Sequence, residues 1–337
     1  MGIDGEAKLQ GLRMSIAFRS FRFLSFCLIV LQTLTESSRI WAQTVGPALQ
    51  SNSPVSADDQ KRTLGELMRQ MRWVEAAPIA QALVQTYPDD PNWHYLLGVA
   101  RWRLEDPIAA IQALREAENR GMDTPPLHKA LGLAYYSINQ FILFEMQMDK
   151  ASKLAPLDFE PIYSLGRYRE SILNDYSGAL KFFEQATLLK PDHSKSVYYK
   201  GHCQEMLDMW PEALGTFQSA IVLVEKNRER FSLPYQGMAR LLLETKTAQA
   251  LVFARKAVEL EPNLDSNHST LARIYELEGK LPEAEQQLQI AVRLSPNKPG
   301  NHYVLSKLYR SLGRTEDAQA QLQTFQKLKA TYDESPQ

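Results

Sequence analysis

Four of the six histidines, His94, His128, His268 and His302, are of the right type to bind a metal, so their spacing must be tested. His94 and His128 are 34 residues apart, as are His268 and His302, and all four hold one register of a repeat. Equivalent positions in neighbouring helical repeats are kept apart by a helix-packing distance of ~8–10 Å. Zinc needs its ligands within ~2 Å of one ion. One imidazole per repeat is therefore expected to be a packing residue. His202 and Cys203 are adjacent; on a helix they point ~100° apart and chelate poorly. The acidic pairs Glu283/Glu285 and Glu316/Asp317 fall at expected helix starts, where the helix dipole favours negative charge. No glycine-rich phosphate loop, zinc-protease helix motif, nucleophile elbow or Cys-x-x-Cys pair occurs. No catalytic residue, metal site or cofactor is expected. Asn267-His268-Ser269 matches the N-glycosylation pattern and is given no weight.

The elements that carry these residues follow a 34-residue period. Leu97-Gly98, Leu131-Gly132 and Leu165-Gly166 recur at that step. Leu271-Ala272-Arg273-Ile274-Tyr275 is echoed by Leu305-Ser306-Lys307-Leu308-Tyr309, and Gly279 by Gly313. A fixed period of this length means stacked supersecondary units in place of one central core. Within 265–298, Leu271 and Tyr275 share a helix face and Gly279 opens a turn. Ala284, Leu288 and Ala291 then form a second apolar stripe at i, i+4, i+7. Pro296 ends that helix, because proline cannot continue a helix interior.

These residues closely resemble the tetratricopeptide repeat (TPR) family, in its exported bacterial form. Eight units are expected, starting near 57, 91, 125, 159, 194, 228, 265 and 299 and together filling 57–332. Pro88, Pro156, Pro191, Pro262 and Pro296 close five of them, and Trp73, Phe141, Tyr176, Trp210 and Leu281 share one early position of the second helix. The resemblance implies an all-α fold of helix-turn-helix repeats stacked into a right-handed superhelical solenoid. Two departures stand out. The step from Ala220 to Ala257 is 37 residues, which puts an insertion of about three residues between 225 and 240. Phe144 stands where the second helix normally has a small residue, with Ile142 and Leu143 beside it; either the core repacks locally or an apolar contact is exposed.

The chain has 337 residues, 44% of them hydrophobic, which excludes global disorder, and a net charge of −1, without the basic excess of a nucleic-acid solenoid. Its N-terminus reads as an export leader. Lys8, Arg13, Arg19 and Arg22 precede the apolar run Phe23 to Leu34, and Ala42 offers a cleavage position. Met1 and Met14 are both possible starts. The run is short of the ~20 residues that span a membrane; it is read as a signal peptide of residues 1–42, or alternatively as an inner-membrane anchor at 23–34. Cleavage would remove five basic and three acidic side chains, leaving 33 and 36 and a net charge of −3. Residues 43–56 read as a flexible linker and 333–337 as a tail. Cys203 is then the lone cysteine of the exported chain, expected to be periplasmic or secreted.

The family resemblance implies that the first helix of each unit lines a concave groove. Carried over position by position, this groups Tyr95, Val99 and Trp102, then Lys129, Leu133 and Tyr136. Tyr163, Arg167 and Glu170 follow, then Tyr198, His202 and Glu205. Aromatic rings with interspersed charge suit an extended peptide. The carboxylate clamp of chaperone-docking relatives is not expected, since Leu133 and Ser164 stand where its asparagines belong. The function expected is a non-catalytic scaffold that binds a protein or peptide in envelope or secretion complex assembly; the alternative is a chaperone-like holder of unfolded exported proteins. Nucleic acid is not an expected partner. Membrane contact is expected only through an uncleaved N-terminus, and the last repeat either caps itself or pairs with another chain.

Overall fold

A computed structural model describes residues 56–333. The leader, nearly all of the linker 43–56 and the last four residues lie outside the described residues. Sixteen α-helices and no strand occur among the described residues. In chain order they are α1 (Ala57–Arg69), α2 (Trp73–Thr86), α3 (Pro91–Arg103), α4 (Pro107–Asn119), α5 (Pro125–Ser137), α6 (Phe141–Leu154), α7 (Phe159–Ser171) and α8 (Tyr176–Leu189). Then come α9 (Ser194–Met206), α10 (Trp210–Asn227), α11 (Leu233–Leu242), α12 (Thr247–Leu260), α13 (Asp265–Leu277), α14 (Leu281–Leu294), α15 (Pro299–Ser311) and α16 (Thr315–Asp333). They form eight helix-turn-helix units, each with an A helix followed by a B helix.

The chain divides into two units, residues 1–66 and 67–337. In the first, the described residues begin α1, whose N-terminus is capped by Ser56: the Asp59 amide donates to its Oγ at 3.1 Å. In the second, consecutive helices pack on one another in solenoid fashion, and A helices of successive pairs also touch, as α3 does α5 and α9 does α11. Local chemistry sets the boundaries. Pro91, Pro107, Pro125 and Pro299 open helices, where the missing N–H costs nothing. Asp90, Asp106, Asp158 and Asp175 accept first-turn amides.

The Leu-Gly signature has a steric cause. A Cβ on Gly98 would lie 2.5 Å from Leu114 Cγ, so the glycine lets the B helix seat its large residue. Phe217 is held the same way from two sides, with ring atoms 2.9 Å from a Cβ at Gly201 and 2.7 Å from one at Gly237. Opposite this row, Ala76, Ala110, Ala179, Ala213, Ala250 and Ala284 are fully buried on the B helices. Phe144 takes their register in α6 and is also buried, edge-on to Tyr136 at 5.2 Å and to Tyr168 at 5.4 Å. Both readings of this place apply: the core repacks around Phe144, with Leu143 half-buried against the cluster, while Ile142 stays 77% exposed.

The irregular stretch lies where the long step put it. α10 extends to Asn227, Arg228 turns left-handed at φ 54°, and α11 is only ten residues long. Residues 229–232 bridge the two without helix. The glycosylation-like Asn267 is wholly buried, its amide donating to Ser232 Oγ and to the carbonyls of Ala257 and Glu261.

Candidate functional site

The four repeated histidines are packing residues with a defined job. In His94, His268 and His302, Nε2 lies 2.7–2.8 Å from the carbonyl of the proline that closes the preceding unit, Pro88, Pro262 and Pro296. His128 reaches Asp123 at 2.6 Å instead. In three of them Nδ1 meets a B-helix glutamine nineteen residues on: Gln147, Gln287 and Gln321, at 2.6–2.7 Å. His268 and His302 thus tie a unit both to its predecessor and to its own B helix, His94 makes the first of these ties, and His128 joins the loop before α5 to its own B helix. No group of three or more His, Cys, Asp or Glu side chains converges on a metal position among the described residues. Cys203 is fully buried, and burial pushes its thiol up to about 12.

Of the expected A-helix residues, Tyr95, Trp102 and Lys129 occupy the earlier units. Tyr95 is half-buried, and burial raises its hydroxyl against the pull of Lys129. Trp102 donates its indole N–H to Ser137 Oγ at 3.4 Å, and Arg103 lies 4.8 Å over its ring. Lys129 crosses to the next unit, pairing with Asp158 at 2.8 Å and Glu160 at 2.7 Å. Burial alone would lower its ammonium, but the two carboxylates outweigh that and raise it. Tyr136 is 36% exposed, with its ring edge-on to Phe141 and Phe144.

The remaining expected residues are brought together. Glu170, Glu205 and Arg240 succeed one another at 35-residue steps on α7, α9 and α11, as do Arg167 and His202. Arg167 donates to Glu170 at 2.7 Å. The other oxygen of Glu170 lies 3.3 Å from His202 Nε2, and His202 Nδ1 is 3.6 Å from Glu205. Arg240 then grips Glu205 through Nε at 3.0 Å and Nη2 at 2.6 Å. The result is a ladder of alternating charge across three A helices. Burial would raise the Glu205 carboxyl, but His202 and Arg240 outweigh it and bring it to about 2. Burial would lower His202, but Glu170 and Glu205 outweigh it and raise the imidazole above its ordinary value.

One expected groove residue needs correction. Tyr198 is not on an open face: it is only 5% exposed, stacked on Phe217 at 5.7 Å and covered edge-on by Phe231 at 5.4 Å. Phe231 comes from the irregular stretch, which folds over the position that regular spacing leaves open. Its neighbour Tyr199 is half-buried, stacked on Phe183 at 5.6 Å, with the Arg167 guanidinium 3.7 Å from its ring centre.

Beside this pair opens a cavity of about 710 Å³, walled by Tyr163, Arg167, His193, Tyr199, Arg230 and Phe231 among others. Tyr163 meets His193 edge-on at 5.1 Å and Tyr199 at 6.2 Å. Sequence spacing found Tyr163 and Arg167 but missed Tyr199, one place along α9 from Tyr198, and Arg230 and Phe231, which the insertion brings in; the 37-residue step was the signal for the last two. In its wall the Ser194 hydroxyl donates to Glu229, and His193 Nδ1 lies 2.7 Å from Ser196 Oγ. Its aromatic walls and charged rim are suited to holding a chain.

Residues 66–123 match the model of the tetratricopeptide repeat family. Among curated proteins none matches this chain. Among solved structures, the APC/C hetero-tetramer Cut9–Hcn1 is similar at 16% identity and a TM-score of 0.60, covering 76% of this chain. This chain spans only 50% of that one. The C-terminal part of a TPR repeat-containing protein from Cytophaga hutchinsonii is similar at 15% identity and a TM-score of 0.55, with 71% of this chain and 97% of that one covered. At such identities these likenesses speak to the fold. Over residues 66–123 the chain is similar to the tetratricopeptide repeat, and the wider likeness is one of helical-repeat fold.

Proposed function

We propose that the protein is a non-catalytic interaction scaffold that holds a protein or peptide partner on the face of its A helices. The observation that carries this reading is the cavity beside Tyr163, Arg167 and Tyr199, set against the ladder from Arg167 to Arg240. The ladder fixes charged side chains in advance, so less ordering entropy is lost when a partner docks. Tyr95, Trp102, Lys129 and Tyr136 extend the binding face along the earlier units, and Glu170 and His202 hold the ladder behind it. The leader-like residues 1–42 support export, with a role in assembling an envelope or secretion complex; an uncleaved N-terminus would tether the protein to the inner membrane. Among the described residues, no helix is long and apolar enough to cross a membrane. The polar last helix supports either self-capping or self-association there.

Crosslinking in intact cells of the native host tests the reading. The Tyr163→Ala/Arg167→Ala variant is expected to lose at least nine-tenths of the captured partner while keeping its helical circular dichroism. Undiminished capture would sink the assignment.

A holder of unfolded chains is the second reading, favoured by one observation. Val74, Ile108 and Ile142 hold the same register on α2, α4 and α6, and all three are exposed, at 72%, 64% and 77%. Suppressed aggregation of several unrelated clients would favour it over one dedicated partner.

A further inference from the structure

We propose that the cavity between α7, α9 and the 228–232 stretch selects acidic segments of an extended peptide, with an apolar or aromatic side chain set among its rings. This rests on the scaffold reading and specifies its ligand. The cations and open donors of the wall outnumber its carboxylates.

Three cations border the cavity, each on a different unit or junction: Arg167 on α7, Lys195 on α9 and Arg230 before α11. Lys195 is exposed and has no carboxylate partner among the described residues; its ammonium has only the Phe231 ring, 6.0 Å away. Arg230 spends Nε and Nη2 on the single carbonyl of Leu260, both at 3.3 Å, and keeps the rest of its guanidinium open. Arg167 gives Nη1 to Glu170 and lays its plane over Tyr199. His193 adds a donor. As the N-cap of α9 its Nδ1 accepts the Ser196 amide at 3.3 Å and lies 2.7 Å from the Ser196 hydroxyl, which can donate to the same nitrogen; this pattern assigns the ring proton to Nε2.

The two carboxylates in the wall are already engaged. Glu229 accepts from Ser194 Oγ and from Asn227 at 2.9 Å. Glu261 accepts the Ser232 amide at 2.6 Å. Three cations thus stand against two carboxylates that are each held by a neighbouring donor, and the excess of positive donors favours an oxygen-rich anion. A single terminal carboxylate cannot reach cations spread over consecutive units. An extended chain advances ~3.3 Å per residue and packed helices stand ~8–10 Å apart, so acidic side chains about three residues apart can. Tyr163, Tyr199 and Phe231 give the cavity wall apolar ring surface on which a ring or aliphatic group can pack.

Fluorescence anisotropy with labelled eight-residue peptides, acetylated and amidated so that no terminal charge remains, tests this on the full chain. One peptide carries glutamate at its third and sixth positions and phenylalanine at its fourth; its twins carry glutamine or lysine at the two acidic places. The glutamate peptide is expected to bind at least tenfold tighter than the glutamine twin, and to weaken as salt is raised. Lys195→Glu and Arg230→Glu, both at exposed positions, should each weaken it at least tenfold with helicity unchanged. Equal binding of the glutamate and glutamine peptides, indifference to both charge reversals, or no binding of any peptide would overturn the acidic preference. If the twins bind equally and Tyr163→Ala/Arg167→Ala abolishes both, the face remains a binding face and only its proposed selectivity fails.

Discussion

His202 sits between two carboxylates, and its ring charge decides whether the ladder holds. In an unfolded chain a histidine titrates near ~6.5; here the folded value is higher. The contribution of His202 is therefore fully present below ~6.5 and is lost as pH rises through the folded value. Urea unfolding at steps from about pH 6 to pH 9 should show native stability falling relative to a His202→Gln variant, which lacks this titration. Parallel courses for the two proteins would remove His202 from the ladder. At this scale the sequence was readable in part. The register of His94, His128, His268 and His302 marked them as packing residues, and all four are buried. The glutamine partners of His128, His268 and His302 were invisible, because a contact nineteen residues away crosses from one helix to the next and leaves no helical period. Tyr198 and Tyr199 show a different limit. Regular spacing selects Tyr198, and only the fold of residues 228–232 reveals that Phe231 closes over it.

Between the helices of a unit, the A-to-B turn repeats one backbone device. Gly279 and Gly313 hold positive φ, at 72° and 74°. In five other units the same place is taken by Met71, Glu105, Asn139, Asn174 and Asp208, at φ between 52° and 60°. A residue with a Cβ pays about 1–2 kcal/mol for that conformation, less for asparagine and aspartate. Glu105 is exposed and forms no ion pair among the described residues. Glu105→Gly should therefore stabilise the protein by roughly 0.5–1 kcal/mol, after subtracting the extra freedom glycine gives the unfolded chain. A chemical-denaturation midpoint that stays level or falls would contradict this. The helices themselves were legible, since prolines, Leu-Gly steps and alanines recur at the repeat length. The left-handed turns were legible only where glycine marks them.

For the molecule as a whole, stacking means that each unit is stabilised mainly by its neighbours. The irregular stretch after α10 is where that regularity breaks, and the same break brings Phe231 and Arg230 to the cavity. A local fault in the repeat thus becomes the most individual part of the surface. In such an array, opening need not be global: a few units can part while the rest stay stacked. Cys203 lies on α9 beside this place, with a shielded thiol that does not ionise near neutrality. Its alkylation consequently clocks the separation of α9 from its neighbours. In a Cys27→Ser chain, the labelling rate at Cys203 should rise with urea along a slope shallower than that of complete unfolding. A slope equal to the global one would mean that the solenoid opens as a single unit.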